Sequence, residues 1–142
     1  MRRTAVFRTA VFLDTSALYE AADRAGRRHP ETRRELERLL TENAALVTTD
    51  LVIAELHGLA LGRLGPETAL ELVERLMASP RLSVVATGPE ILADALESLR
   101  RRPGRRISLV DAASFVIMAR AGMGTAFALD SDFAAEGFTT VP

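Results

Sequence analysis

The chain has 142 residues, 48% of them hydrophobic and 26% charged, which is the size and composition of one soluble globular domain and excludes a disordered chain. It has no cysteine, and all 18 basic residues are arginine; this excludes disulfides, thiolate metal sites, cysteine nucleophiles, the lysine of a Walker phosphate loop and the lysine that receiver domains and haloacid-dehalogenase-like phosphatases place beside a reactive aspartate. The net charge of −1 excludes a global basic field, and His29 and His57 stand too far apart for a histidine-rich metal centre or a histidine-assisted serine triad, so any metal must be held by oxygen.

Met1-Arg2-Arg3 imitates the start of a signal peptide, but Arg8 and Asp14 interrupt the apolar stretch and no small-residue cleavage site follows. No apolar run approaches the ~20 residues that span a bilayer, so the expectation is a cytoplasmic protein with no membrane partner. Thr4-Ala5-Val6-Phe7 recurs as Thr9-Ala10-Val11-Phe12, which leaves the start of the first strand open while Leu13-Asp14 fixes its end. Ala10–Leu13, short and wholly apolar, reads as a buried parallel strand. Thr15 and Ser16 are expected to cap a helix running to Ala25. Pro30 opens a second, Glu31 to Asn43, with Leu36, Leu39 and Leu40 on one face. Ala45–Thr49 is the second strand, and Asp50 the expected N-cap of the helix that follows. Gly65-Pro66 ends that helix and starts another, Glu67–Met77. Leu82–Ala86 is the third strand. Gly88-Pro89 opens a helix from Glu90 to Arg101, which Pro103-Gly104 terminates. Ser108 caps an apolar helix, Leu109–Ala121. Thr125–Leu129 is the fourth strand, Asp132–Glu136 a short helix, and Phe138–Val141 a marginal fifth strand. Strands alternating with helices over one domain, residues 1–142, indicate a three-layer α/β sandwich with a mainly parallel sheet of four to five strands.

Sites in such sheets collect beyond the carboxyl ends of the strands. Asp14 ends the first strand and Asp130 the fourth; Glu55 lies one turn into the helix after the second strand, and Asp111 in the first turn of the helix capped by Ser108. Four acids from four segments therefore fall on one edge. Glu55, flanked by Ile53, Ala54 and Leu56, and Asp111, flanked by Leu109, Val110, Ala112 and Ala113, are costly in such apolar settings without a compensating cation. Each acid has a local reading as well: helix capping for Asp14, a solvent-reaching side chain for Glu55, a favourable helix-dipole position for Asp111, a turn for Asp130. Their convergence favours a shared site for Mg²⁺ or Mn²⁺, with hydrolysis by water as the implied chemistry.

Val11-Phe12-Leu13-Asp14-Thr15-Ser16-Ala17-Leu18, then Val52-Ile53-Ala54-Glu55-Leu56, Ser108-Leu109-Val110-Asp111-Ala112-Ala113-Ser114, Phe127-Ala128-Leu129-Asp130-Ser131-Asp132-Phe133 and finally Gly137-Phe138 together resemble the PIN domain, especially the VapC toxins of VapBC toxin–antitoxin systems. The order and spacing agree over nearly the whole chain. The resemblance implies a PIN-like fold and a Mg²⁺- or Mn²⁺-dependent endoribonuclease whose acidic quartet is Asp14, Glu55, Asp111 and Asp130. Thr15 or Ser16, and Ser108, match positions that orient water or carboxylates. Asp132 is a second candidate for the fourth acid, or for a further metal, with helix capping as its local reading. The resemblance also implies a homodimer and a VapB-type antitoxin whose C-terminal tail lies across the site. A housekeeping PIN nuclease without an antitoxin, and a PIN-like binding module without catalysis, are the competing functions; the intact acidic set argues against the second.

Arg100, Arg101, Arg102, Arg105 and Arg106 crowd the turn just before the helix carrying Asp111. The planar fork of arginine suits phosphate, so this loop is the expected contact for an RNA backbone, with a solvated charge run as the alternative. The six phenylalanines and one tyrosine sit mostly in apolar runs and form no base-stacking platform.

Overall fold

A computed structural model describes residues 10–142. The first copy of the short echo, Thr4–Phe7, and the signal-like N-terminus lie outside the described residues. The described chain alternates as expected: β1 (Val11–Leu13), α1 (Thr15–Ala22), α2 (His29–Thr41), β2 (Leu46–Thr49), α3 (Asp50–Leu64), α4 (Pro66–Met77), β3 (Leu82–Val85), α5 (Gly88–Arg100), α6 (Leu109–Ala121), β4 (Thr125–Phe127), α7 (Ser131–Ala135) and β5 (Thr139–Val141). All five strands join one parallel sheet in the order β3-β2-β1-β4-β5. The marginal fifth strand is a full member, with Thr139, Ala126's partner Thr140, and Val141 in register with β4.

Successive strand side chains point to opposite faces. Because every residue of β1 and of β2 is buried, both faces of the sheet centre are covered, which makes three layers. α1–α4 pack in a chain against one another, while α5 and α6 pack together. The α5–α6 contact is built on alanines: Ala95, Ala112 and Ala113 are fully buried among Ile91, Leu99, Ile107 and Val116. Small side chains let two helices approach closely. The main core holds Phe12, Leu13, Leu46, Val52, Leu56, Phe115, Met118, Phe127 and Phe133. Phe133 stacks over Phe12 at 6.4 Å and meets Phe115 edge-on at 4.8 Å, so the short helix α7 is pinned to the core by one ring. No helix of the described residues is long and apolar enough to cross a membrane.

Several boundaries differ from the sequence expectation, each for a local hydrogen-bonding reason. α1 is capped by Asp14 rather than by Thr15 or Ser16, the Asp14 carboxylate accepting from the Ser16 N–H at 3.1 Å. It stops at Ala22 rather than Ala25, because Asp23 is extended and its carboxylate takes the Tyr19 hydroxyl at 2.7 Å and the Ala25 N–H at 2.9 Å. The cap of α3 is Thr49, whose hydroxyl accepts from Val52 N–H at 3.1 Å; Asp50 instead accepts from the Thr87 N–H at 3.1 Å and hydroxyl at 2.6 Å, fastening α3 to the start of α5. β4 ends at Phe127 rather than Leu129, since the Leu129 N–H turns to the Ser16 hydroxyl at 2.9 Å. α2 starts at His29 and α5 at Gly88, each slightly earlier than expected, with proline at the second position where its missing N–H costs nothing.

Phe133→Ala should cost about 3–5 kcal/mol of stability by urea denaturation, since it empties a fully buried aromatic site. The same change should disturb Asp130 and Asp132, which lie just before Phe133 in the chain, more than a Phe133→Leu replacement does, read as a larger fall in divalent-ion affinity.

Candidate metal centre

The strand order reverses direction between β1 and β4: the chain runs outward through β2 and β3, then returns to place β4 on the other side of β1. Ligands in open α/β sheets bind at such a switch point, outside the carboxyl ends of the strands. Asp14 immediately follows β1, and Asp130 caps α7 just past β4. The Asp14 N–H donates to the Phe127 carbonyl at 3.0 Å, so the ends of the two strands are held together at the reversal. α6 leads into β4, and its N-terminal turn, carrying Asp111, therefore lies at this same edge.

Asp14 is only 2% exposed. One oxygen, Oδ2, takes the Ser16 N–H and the Ser16 hydroxyl, the latter at 2.6 Å. The other, Oδ1, is buried with no hydrogen-bond partner. Burial is the main cause that lifts the Asp14 carboxyl from its ordinary 3.8 to about 6, against the Ser16 hydrogen bonds that favour the charged form; the negative charge of Glu55 adds to the rise. Asp111 is lifted further, to about 8, by its own burial first and then by the charges of Asp14, Asp130 and Glu55. All four acids of the expected quartet are thus close enough to act on one carboxyl.

Three of the acids come closer still: oxygens of Asp111, Asp130 and Asp132 lie within 4.8 Å of one another. Asp14 and Glu55 stand outside that tightest group and bear on it through their charge. Helix capping, the local reading of Asp132, belongs to Asp130, whose Oδ1 accepts the Asp132 N–H at 2.9 Å. Asp132 sits in the first turn and is paired with Arg105 at 3.3 Å. The donor set is all carboxylate, hard oxygen ligands of the kind Mg²⁺ and Mn²⁺ take, and the partnerless buried Oδ1 of Asp14 is an atom that a cation would satisfy. The residues fit a divalent ion. A cavity of about 790 Å³ between α1, α2 and α4, lined by Leu18, Leu36, Leu72 and Leu76, contains none of these acids.

Among the supporting residues, Ser16 has the most connections. Its hydroxyl donates to Asp14 and accepts the Leu129 N–H at 2.9 Å and, more weakly, the Asp130 N–H at 3.4 Å, joining two acid-bearing segments through one oxygen. Thr15 is buried beside it, its hydroxyl without a partner. The Ser108 hydroxyl accepts the Asp111 N–H at 3.1 Å and so fixes the backbone of that acid. Thr48, not singled out by the sequence, donates from its buried hydroxyl to the Leu13 carbonyl at 2.8 Å and locks β2 to the strand end that presents Asp14. The signal available was a polar pair, Thr48-Thr49, closing an apolar strand.

The arginine loop divides in two. Arg100 and Arg101 are well exposed and meet Glu97 only at 3.6 Å and 3.8 Å, and Arg106 is exposed with no ion pair among the described residues. Arg102 and Arg105, expected either to contact RNA or to lie in a solvated charge run, both engage Glu136, a residue the sequence did not mark because nothing local singles out an acid at the end of a short helix.

Ser16→Ala leaves the Leu129 N–H and Asp14 Oδ2 short of partners and should cost about 1–3 kcal/mol in urea denaturation while weakening Mn²⁺ binding by calorimetry. The pH response follows from Asp14 and Asp111. Both carboxyls sit above their ordinary 3.8, so the metal-free fold prefers them protonated; the stability they contribute is complete below 3.8 and is lost as pH rises through about 6 and about 8. Thermal denaturation of the metal-free protein should therefore fall in midpoint from roughly pH 5 to roughly pH 8, and Mg²⁺ or Mn²⁺ should raise it more at the higher pH. Equal ion-induced shifts at both pH values would contradict this electrostatic picture.

The PIN domain family model matches residues 11–138. The chain is 33% identical over 135 residues to the 23S rRNA-specific endonuclease VapC20 of Mycobacterium tuberculosis, covering 92% of this chain and 97% of that one. The crystal structure of Mycobacterium tuberculosis VapC20, described as a sarcin–ricin loop cleaving toxin, superposes with a TM-score of 0.80 and 28% identity over 91% of this chain and 96% of that one. PAE2754 from Pyrobaculum aerophilum shares the fold at a TM-score of 0.66 and 19% identity, covering 96% of this chain and 92% of its own. With the sheet, the switch point and the ordered acids all in agreement over nearly its full length, the chain belongs to the PIN domain family.

Proposed function

We propose that this protein is a Mg²⁺- or Mn²⁺-dependent endoribonuclease of the VapC toxin type, hydrolysing RNA phosphodiester bonds with water. The observation that carries the reading is the set of mutually repelling carboxylates at the switch point, one of which, Asp14, buries an oxygen with no partner. When bound, the ion supplies Lewis acidity and offsets charge developing on the phosphodiester. The chain's own residues do the rest. Asp14, Asp111 and Asp130 hold the ion, with Asp132 as a further donor. Glu55 adds the negative charge that makes an empty site unfavourable. Ser16 fixes the direction of Asp14, and Ser108 fixes Asp111. Arg100, Arg101 and Arg106 are open to solvent for the RNA backbone.

The relative's substrate, the sarcin–ricin loop of 23S rRNA, is the first RNA to test. A VapB-type antitoxin is the partner this reading requires, and a basic side chain in its tail would suit the acidic cluster. Homodimerisation belongs to the same reading, and Leu61, Leu70 and Met77 on the packed pair α3 and α4 are exposed apolar side chains that it could cover.

A hairpin RNA of the sarcin–ricin loop should be cut in Mg²⁺ or Mn²⁺ and not after chelation. Asp14→Asn and Asp111→Asn should each lower the rate by about 100-fold or more while leaving the fold intact by circular dichroism. Wild-type activity in either variant would rule out catalysis by these residues. Toxicity on expression, relieved by the protein encoded directly upstream, is the corresponding test for the toxin role.

A further inference from the structure

The arginine loop reaches the acids through one carboxylate. Glu136 caps the end of α7 and its side chain is only 11% exposed. It accepts from Arg102 Nε at 2.9 Å and Nη2 at 2.5 Å, and from Arg105 Nη1 at 2.9 Å. Arg102 also donates from Nη1 to the Ser98 carbonyl at 3.0 Å, so all three of its nitrogens are engaged and it ties the end of α5 to the end of α7. Arg105 is placed differently. Its Nη2 reaches Asp132 at 3.3 Å, its Nε has no partner among the described residues, and its side chain is 39% exposed. Asp132 in turn lies within 4.8 Å of Asp111 and Asp130, so the Arg105 guanidinium stands one carboxylate away from the centre. Among the described residues it is the one arginine ion-paired to a candidate metal-site acid.

A polyanion approaching this edge meets a cluster of carboxylates and is repelled by it. A guanidinium at the rim offsets that charge and still has donors in its planar fork for a phosphate. Left on a free loop, such a side chain would lose several rotamers' worth of entropy on binding; held on a half-buried carboxylate, it is already ordered. We propose that Glu136 is a positioning residue for the substrate, holding Arg105 at the rim of the acidic centre so that it contacts the phosphate next to the one cleaved, with Arg102 as the strut that keeps the loop in place. The inference rests on the ribonuclease reading above and adds to it a residue outside the family's acidic set.

The test uses cleavage-blocked Asp14→Asn protein in Mg²⁺ with a labelled sarcin–ricin loop hairpin RNA, its affinity read by fluorescence anisotropy across a salt series, well below each variant's melting temperature. Glu136→Ala should weaken binding by about 10-fold and reduce the slope of log affinity against log salt by about 1. Glu136→Gln should move both in the same direction, and Glu136→Asp should recover part of the loss. Arg105→Gln should match Glu136→Ala, and the two together should lose no more than either alone, because Glu136 acts through Arg105. A folded Glu136→Ala protein with unchanged affinity, additive losses in the double variant, or a hairpin that does not bind would each overturn the proposal; a merely structural staple would lower the melting temperature and leave affinity alone. Cleavage by the otherwise unaltered protein is read separately: if the hairpin is bound with these Glu136 effects but never cut, the ribonuclease reading falls and only the holding of Arg105 against an RNA phosphate by Glu136 stands.

Discussion

Carboxylates that repel one another across the carboxyl edge of a parallel sheet set the terms for much of this molecule. Each is partly paid for by a different local device. Asp14 has the Ser16 hydroxyl and N–H, Asp130 the N–H of Asp132, Asp132 the Arg105 guanidinium, and Asp111 the positive end of α6. None of these devices is sufficient. Asp14 keeps a buried oxygen with no partner, and Asp111 is held far above its ordinary ionisation range. An edge of this composition offers hard oxygen donors and lacks a positive charge to match them.

The architecture explains how acids so far apart in sequence reach that edge. β1 is central, and the chain leaves it in one direction through β2 and β3 and in the other through β4 and β5. The crevice between β1 and β4 receives Asp14 and Asp130 from the two strands that form it. α6 delivers Asp111 because alanines at its contact with α5 let it pack closely, and α7 delivers Asp130 and Asp132 because Phe133 anchors that short helix in the aromatic core. Apolar packing by the residues beside the acids thus decides where the charges stand.

Polar links between remote segments then set the detail. The Ser16 hydroxyl bonds across to the backbone of Leu129, and the Thr48 hydroxyl to that of Leu13. Arg102 and Arg105 converge on Glu136 from another loop. The Arg102–Glu136 pair is partly buried and bidentate, and so is worth more than the Arg33–Glu37 pair on α2, which is open to solvent. These links fix the segments around the acids while leaving Asp14 Oδ1 without a partner.

Much of this was legible in the sequence. Short apolar runs broken by Gly and Pro located every strand and helix, because a strand buried on both faces and an amphipathic helix leave different periods in the chain, and the ordered acids marked the edge that the parallel sheet would use. The limits of the elements were less legible, since a cap is chosen by whichever side chain has no better partner: Asp50 was drawn away to Thr87, leaving Thr49 to cap α3, and Leu129 left β4 for Ser16. By itself the sequence determined the sheet and the family pattern and pointed to the edge where acids would collect, all of which follow from residue type and local order. Only the tertiary structure decided that Asp14 buries an unpaired oxygen, that Asp130 rather than Asp132 caps α7, and that Glu136 captures two arginines, because each of these depends on contacts between segments whose distance in space their separation along the chain does not encode.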